Sequence, residues 1–125
     1  MTEDKPFDSL IGKTLTSIIG GVGSDVVTFH CNDGTVYRML HVQDCCESVS
    51  LEDVIGDLQD LIGSPIVDAR EEYSGEHPAG FDARYVESFT WTFYHLGTAK
   101  GSVVLRWLGE SNGYYSETVD FIEVT

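Results

Sequence analysis

The densest group of reactive side chains lies in residues 41–53, HVQDCCESVSLED. This stretch combines one imidazole, two adjacent thiols and four carboxylates within thirteen residues. Such groups serve in metal binding, in thiol chemistry or in hydrogen bonding to a ligand. We consider these chemistries in turn.

A zinc site needs about four ligands of the Cys, His, Asp or Glu type, usually supplied as two close pairs. His41 and Cys45 can make one pair, but no C-x-x-C pair accompanies them, and a predicted hairpin carries Cys31 away. The nearby carboxylates lack the spacing of a calcium-binding EF-hand loop. We therefore expect no metal and no other cofactor, and keep a metal-dependent enzyme only as a second alternative.

Thiol chemistry has weak support in the same stretch. Adjacent cysteines such as Cys45 and Cys46 can form a disulfide only by straining the peptide between them. Cys46 and His41 can form a nucleophile–base pair, but the surrounding carboxylates disfavour a thiolate. We expect one thiol to pack inward while the other lines a surface, and we expect no catalytic activity.

A binding face is predicted in the last third of the chain. Phe89, Trp91 and Phe93 alternate along a strand and are expected to face the core together with Leu105 and Trp107. The opposite face offers rings, hydroxyls and a guanidinium, which suit a base, a ribose and a phosphate, although it can also be merely a polar sheet surface. Joined to the 41–47 loop, it gives the predicted ligand-binding residues: His41, Asp44, Cys45, Glu47, Thr92, Tyr94, Arg106, Asn112, Tyr114 and Tyr115.

An acidic surface offers another function. No Lys or Arg occurs between Met39 and Ala69, whereas carboxylates are frequent there. On a helix, like charges three or four residues apart cost about 0.2–0.5 kcal/mol per pair, which is consistent with a face kept anionic for a basic partner or simply with a solvated face. The alternative partner-binding residues are Glu52, Asp53, Asp57 and Asp60.

The overall charge excludes some partners. Twenty-one acidic and seven basic residues among 125 give a net charge of −14, which repels nucleic acids and anionic membranes. No apolar run approaches the roughly 18 residues of a membrane span, and the start lacks a secretory signal pattern. Together with three cysteines, an odd number, these features favour a single domain, residues 1–125, in the cytoplasm, with residues 1–10 frayed and a core over 11–124.

A helix is predicted over residues 51–62. Ser50 is a suitable N-cap, Gly63 a suitable C-cap, and the apolar side chains follow helical spacing: Leu51, Val54, Ile55, Leu58, Leu61 and Ile62. Alternating segments predict strands at 13–20, 25–31, 35–42, 65–73, 86–96, 101–108 and 114–124, with a turn at Asn32-Asp33-Gly34. The expected fold class is therefore α+β, with a mostly antiparallel sheet of about six to seven strands and one amphipathic helix on one face.

Three stretches carry a family resemblance: QDCCESVSLEDVIGDLQDLIGSPI, SFTWTFYHLGTAKGSV and GESNGYYSETVDF. Together they resemble a family of small, functionally uncharacterised proteins met frequently in bacteriophage genomes. The resemblance covers residues 10–124 and implies a phage accessory protein acting in the cytoplasm of an infected bacterium. It implies no particular activity.

The leading hypothesis is therefore a phage binding protein that sequesters a small molecule, with a nucleotide-derived host defence signal as the favoured ligand. The alternative is an acidic decoy or inhibitor of a basic or DNA-binding host protein. Neither hypothesis involves direct contact with nucleic acid or a membrane. A closed homo-oligomer is a reasonable expectation for so small a binder.

Overall fold

The structure is a computed structural model that describes residues 2–42, 47–74, 88–111 and 117–124. These residues form two antiparallel sheets and two short 3-10 helices, at Phe7–Leu10 and Leu58–Leu61. The strands are β1 (Thr2–Asp4), β2 (Leu15–Ile19), β3 (Val26–Cys31), β4 (Val36–Leu40), β5 (Ser48–Ile55), β6 (Asp68–Ser74), β7 (Ser88–Thr98), β8 (Gly101–Ser111) and β9 (Asp120–Val124).

The first sheet has five strands in the order β1-β9-β4-β3-β2. Its centre is the β3–β4 hairpin, which turns at the predicted Asn32-Asp33-Gly34 and pairs Val26 with Leu40. β9 returns from the end of the chain to pair with β4, and β1 adds to its outer edge. Residues 2–4, expected to be frayed, thus belong to this sheet.

The second sheet has four strands in the order β5-β8-β7-β6. Its two longest strands, β7 and β8, form a hairpin that closes tightly after Thr98. The central strands were predicted from their alternating β-branched and aromatic residues, and these predictions are confirmed.

Alternate side chains of both sheets meet in one hydrophobic core. Phe7 joins the two layers, because its ring lies 4.7 Å from the ring of Tyr94 in the second sheet and 5.3 Å from that of Phe121 in the first. Tyr37 stacks on Phe121 at 5.1 Å. The architecture is therefore a β-sandwich with inward-facing residues from both layers.

The predicted α+β class is wrong, because the predicted helix is a strand. Among the described residues no helix exceeds one 3-10 turn, and β5 occupies the first half of the segment. Val49 and Leu51 point into the core, and then a β-bulge between Leu51 and Asp53 shifts the alternation by one residue, so that Val54 also packs against the core. The resulting interval of three residues imitates helical spacing.

Gly56 then ends the strand instead of occupying a helix interior. Its φ of +107° is unfavourable for other residues, and a Cβ there would lie 2.7 Å from the Ser102 carbonyl oxygen. The chain next enters the second 3-10 helix, where the Asp57 side chain accepts a hydrogen bond from the Gln59 amide. Of the two predicted caps, Ser50 lies within β5 and Gly63 follows the second 3-10 helix.

The strand directions bring several chain segments to one end of the sandwich. At this end β4, β6 and β8 finish, while β5, β7 and β9 begin. We call it the carboxylate end and define it by His41, Glu47 and Glu117. No helix in the described part of the chain is long and apolar enough to cross a membrane.

Candidate functional site

In the second sheet, the face that was predicted to be exposed is the one that is buried. Thr92 and Tyr94 are buried on the inner face, with Tyr94 fully enclosed in the core. Arg106 pairs with Phe93 and lies on the outer face. The predicted binding face, which required Thr92, Tyr94 and Arg106 to lie side by side, is therefore not formed.

Burial also changes the chemistry of Tyr94. Its hydroxyl lies 3.4 Å from the Val119 carbonyl oxygen, and burial raises the pKa of Tyr94 far above its ordinary value. A phenol in this setting is a packing residue with one backbone contact. Its hydroxyl is not available to a ligand on the surface of the sheet.

On the outer face, Arg106 is held by its neighbours. Its guanidinium lies 5.3 Å from the Trp91 ring centroid and 5.8 Å from that of Phe93, which are cation–π distances. It also donates a hydrogen bond of 2.9 Å to Asp53. Trp91 and Phe93 are thus outer-face residues, contrary to the expectation that they face the core.

The four carboxylates of the predicted acidic face do not share a helix. Asp53 pairs with Arg106, and Asp57 caps the second 3-10 helix. Glu52 is exposed at the bulge of β5, and Asp60 is partly buried beside Gly101. The surface predicted for a basic partner is therefore wrong in its geometry, although Glu52 and Asp57 remain exposed.

His41 and Glu47, by contrast, are brought into direct contact at the carboxylate end. His41 follows β4 and Glu47 precedes β5, so the pair spans the crossing from the first sheet to the second. Their side chains are 5% and 0% exposed, and Nε2 of His41 lies 2.7 Å from Oε2 of Glu47. Nδ1 of His41 lies 2.7 Å from the carbonyl oxygen of Thr118, which precedes β9.

The partners of His41 determine its protonation. A carbonyl oxygen can only accept a hydrogen bond, so Nδ1 must donate to Thr118. Burial lowers the pKa of His41, but the hydrogen bonds to Glu47 and Thr118 outweigh burial and hold that pKa above its ordinary value. The geometry therefore favours an imidazolium paired with a carboxylate.

This arrangement limits the reactions that His41 can perform. Both ring nitrogens are engaged, so neither has a free lone pair for zinc or for activating a thiol. Among the described residues no group of three or more His, Cys, Asp or Glu side chains is placed to hold a metal ion. Cys31 lies in the core at the opposite end of β3, and burial raises the pKa of its thiol.

A second buried carboxylate, Glu117, lies at the same end. Its two oxygens accept hydrogen bonds from the hydroxyls of Thr90 in β7 and Ser111 in β8. Glu117 immediately precedes Thr118, the residue that holds His41. One short chain segment therefore links the two buried carboxylates, Glu47 and Glu117.

Gly109 makes room for this segment. A Cβ at Gly109 would lie 2.4 Å from the Glu117 carbonyl oxygen and 2.7 Å from the Glu117 Cβ. Only glycine allows residue 117 to cross the inner face of β8 so closely. Sequence analysis did not single out Gly109, because the predicted strand ended at residue 108 whereas β8 continues to Ser111.

The structure thus places two of the predicted site residues in contact and shows further polar residues beside them. It brings together His41 and Glu47 with the strand ends that flank residues 112–116. Sequence analysis missed Glu117, Thr90 and Ser111, because abundant carboxylates and hydroxyls gave no distinctive spacing. The other predicted ligand-binding residues, Asp44, Cys45, Asn112, Tyr114 and Tyr115, lie outside the described residues.

Comparison with known proteins identifies a family but no characterised relative. No curated protein and no solved structure was found to match this chain. A family model described as a domain of unknown function (DUF7448) matches residues 8–121. Because this match covers most of the 125 residues, the chain belongs to that family.

Proposed function

We propose that this protein is a bacteriophage protein that binds and sequesters a small nucleoside-containing molecule at the carboxylate end. The observation that carries the proposal is the meeting there of the described ends of the two segments predicted to bind a ligand. His41 and Glu47 bound the first segment, and Ser111 and Glu117 bound the second. The phage setting rests on the motif resemblance.

The burial of two hydrogen-bonded carboxylates at this end supports a binding role. Buried carboxylates are expensive unless hydrogen-bonded, and the described part of the carboxylate end contains two of them, with Glu47 only 4% and Glu117 only 8% exposed. Connections at the end of a β-sandwich are also frequent binding surfaces, because the sheets hold them in place. Carboxylates buried at the described ends of such connections suit a ligand rich in hydrogen-bond donors.

The chemistry of these buried carboxylates indicates the class of ligand. Carboxylate oxygens accept hydrogen bonds, so they match the amino groups of a base and the hydroxyls of a ribose. The net charge of −14 opposes phosphates at long range. We therefore expect nucleosides and singly or doubly charged nucleotides to bind better than triphosphates.

A thermal-shift panel followed by calorimetry tests the proposal. The panel contains nucleosides, monophosphates, triphosphates and cyclic dinucleotides. We expect saturable one-to-one binding of at least one compound, weakened about tenfold or more by Glu117→Gln and unchanged by Glu52→Gln, an exposed control. If no compound binds saturably, or if both variants behave alike, the proposal fails.

The acidic decoy remains the rival function, although it has lost the helix on which it was placed. Glu52 and Asp57 are its exposed carboxylates. Changing both to lysine should abolish capture of a basic partner and leave ligand uptake intact. The opposite outcome, loss of uptake alone, would contradict the assignment of the binding site to the carboxylate end.

A further inference from the structure

The outer face of the five-stranded sheet carries both apolar and charged side chains. One row of paired residues crosses the whole sheet and points away from the core. Ile19 in this row is 60% exposed, and Val26 in the next row is 37% exposed. The row consists of Asp4, Ile122, Arg38, Thr28 and Ile19.

Arg38 lies at the centre of this face without an ionic partner among the described residues. Its neighbours along β4 are Val36 and Leu40, and its cross-strand neighbours are Thr28 and Ile122. Four other described cations contact carboxylates: Lys5, Lys13, Arg70 and Arg106. An exposed, uncompensated guanidinium among partly buried apolar side chains is typical of an interaction anchor.

Four residues around Arg38 form a self-complementary pattern. Arg38 pairs across the strands with Ile122, and Leu40 pairs with Asp120, so the four mark the corners of a rectangle. The two charged residues occupy one diagonal and the two apolar residues the other. Asp120, like Arg38, forms no ion pair within the described part of the chain.

We propose that this face is the interface of a symmetric homodimer, in which Arg38 of each copy pairs with Asp120 of the other. A two-fold axis along the Leu40–Ile122 diagonal brings each charged corner close to the opposite charge of the other copy. It also places Leu40 and Ile122 against their own counterparts. A surface that carries both signs of charge around an apolar diagonal meets the requirement of an isologous interface.

The area of the face indicates which class of interface the proposed dimer belongs to. Five strands about 4.8 Å apart and five residues at about 3.4 Å each give roughly 400 Å² per copy. That area belongs to the weak, transient class of interfaces. Because two copies of charge −14 repel each other, the dimer should tighten as added salt screens the repulsion.

Sedimentation equilibrium of the full chain, over protein concentrations up to about 1 mM, tests this proposal. We expect a reversible monomer–dimer equilibrium that shifts toward dimer between low and moderate salt. Arg38→Asp and Asp120→Arg should each weaken dimerisation about tenfold or more, because each places like charges across the interface. The double variant Arg38→Asp with Asp120→Arg should restore it.

Arg70→Asp is the matched control, because it makes the same charge reversal on β6, away from this face. It should leave dimerisation unchanged, and circular dichroism should show the same β-rich fold for every variant. A wild-type chain that stays monomeric throughout would overturn the proposal, whatever other partner covers the face. A double variant as weak as the single ones would also overturn it. The dimer does not depend on the proposed ligand.

Discussion

Polar side chains are buried in two regions of the molecule, and the regions treat them differently. At the carboxylate end His41 contacts Glu47, and Glu117 accepts hydrogen bonds from two hydroxyls. In the middle of β7 and β8, Thr92 and Trp107 are 1% and 0% exposed, and their polar atoms have no hydrogen-bond partner in the described structure.

The comparison distinguishes buried polar groups that hold chain segments together from polar atoms of side chains that are buried for their volume. Thr92 and Trp107 are cross-strand neighbours on the inner face, where their volume fills the core. The charged groups at the carboxylate end have partners on separate segments, so their contacts fix how the two sheets meet. Removing a polar group should therefore lower the free energy of unfolding at the carboxylate end and raise it in the middle of β7 and β8.

The largest effect is expected from Glu47→Ala. It leaves the imidazole of His41 buried without its carboxylate, and breaking a buried ion pair on one side costs about 3 kcal/mol. The midpoint of urea denaturation at a constant slope measures this loss of unfolding free energy. Glu52→Ala, an exposed change in the adjoining strand β5, should stay within about 0.5 kcal/mol. Equal effects would mean that the pair contributes no stability.

Gly109→Ala tests the close passage of residue 117 over β8. The new Cβ would overlap the Glu117 carbonyl oxygen, so we expect a loss of about 2 kcal/mol. Gly97→Ala in β7 is the control, because its Cβ would have its nearest neighbour at 3.4 Å. If both variants unfold at the same urea concentration, the chain does not cross β8 as closely as described.

A pair of identical substitutions in one strand sharpens the comparison most directly. Thr90→Val removes a hydroxyl that donates to Glu117, and we expect it to lower the unfolding free energy by about 1 kcal/mol. Thr92→Val removes a buried hydroxyl without a partner in the described structure, and we expect it to raise that free energy by a similar amount. Shifts of the same sign would contradict the distinction between the two regions.

The smallest expected effect concerns pH. The pKa of His41 is raised in the folded state, so its pairing contributes stability that is complete below its ordinary value of 6.5. This contribution is lost as pH rises through the folded pKa. We expect the unfolding free energy to fall more steeply above pH 6.5 in the wild type than in Glu47→Gln. Parallel profiles would show that His41 titrates normally.

Many of the strands could be predicted from the sequence, because their residues alternate between apolar and polar. The expected single sheet is wrong, because these strands form two sheets. The β3–β4 hairpin and the long β7 and β8 strands were located in this way. Which face of β7 lies inside could not be read, because Trp91 and Tyr94 are both large enough for a core. The four-stranded sheet buries Tyr94 against Phe7 and places Trp91 beneath Arg106.

Strand β5 and half of the candidate site escaped prediction for related reasons. The bulge at Glu52 adds one residue to β5, and this local change is indistinguishable in the sequence from a helical interval. His41 and Glu47 stood out because they belong to the densest group of reactive side chains in the sequence. Glu117 could be recognised only in the structure, where it accepts hydrogen bonds from Thr90 and Ser111.

Native mass spectrometry of protein purified gently from bacteria tests the central claim most directly. The wild type should carry a small molecule, visible as a mass excess over the bare chain or its dimer. The excess should disappear in Glu117→Gln and persist in Glu52→Gln. A bare mass for the wild type, with no mass shift after nucleosides and nucleotides are added, would contradict uptake at the carboxylate end.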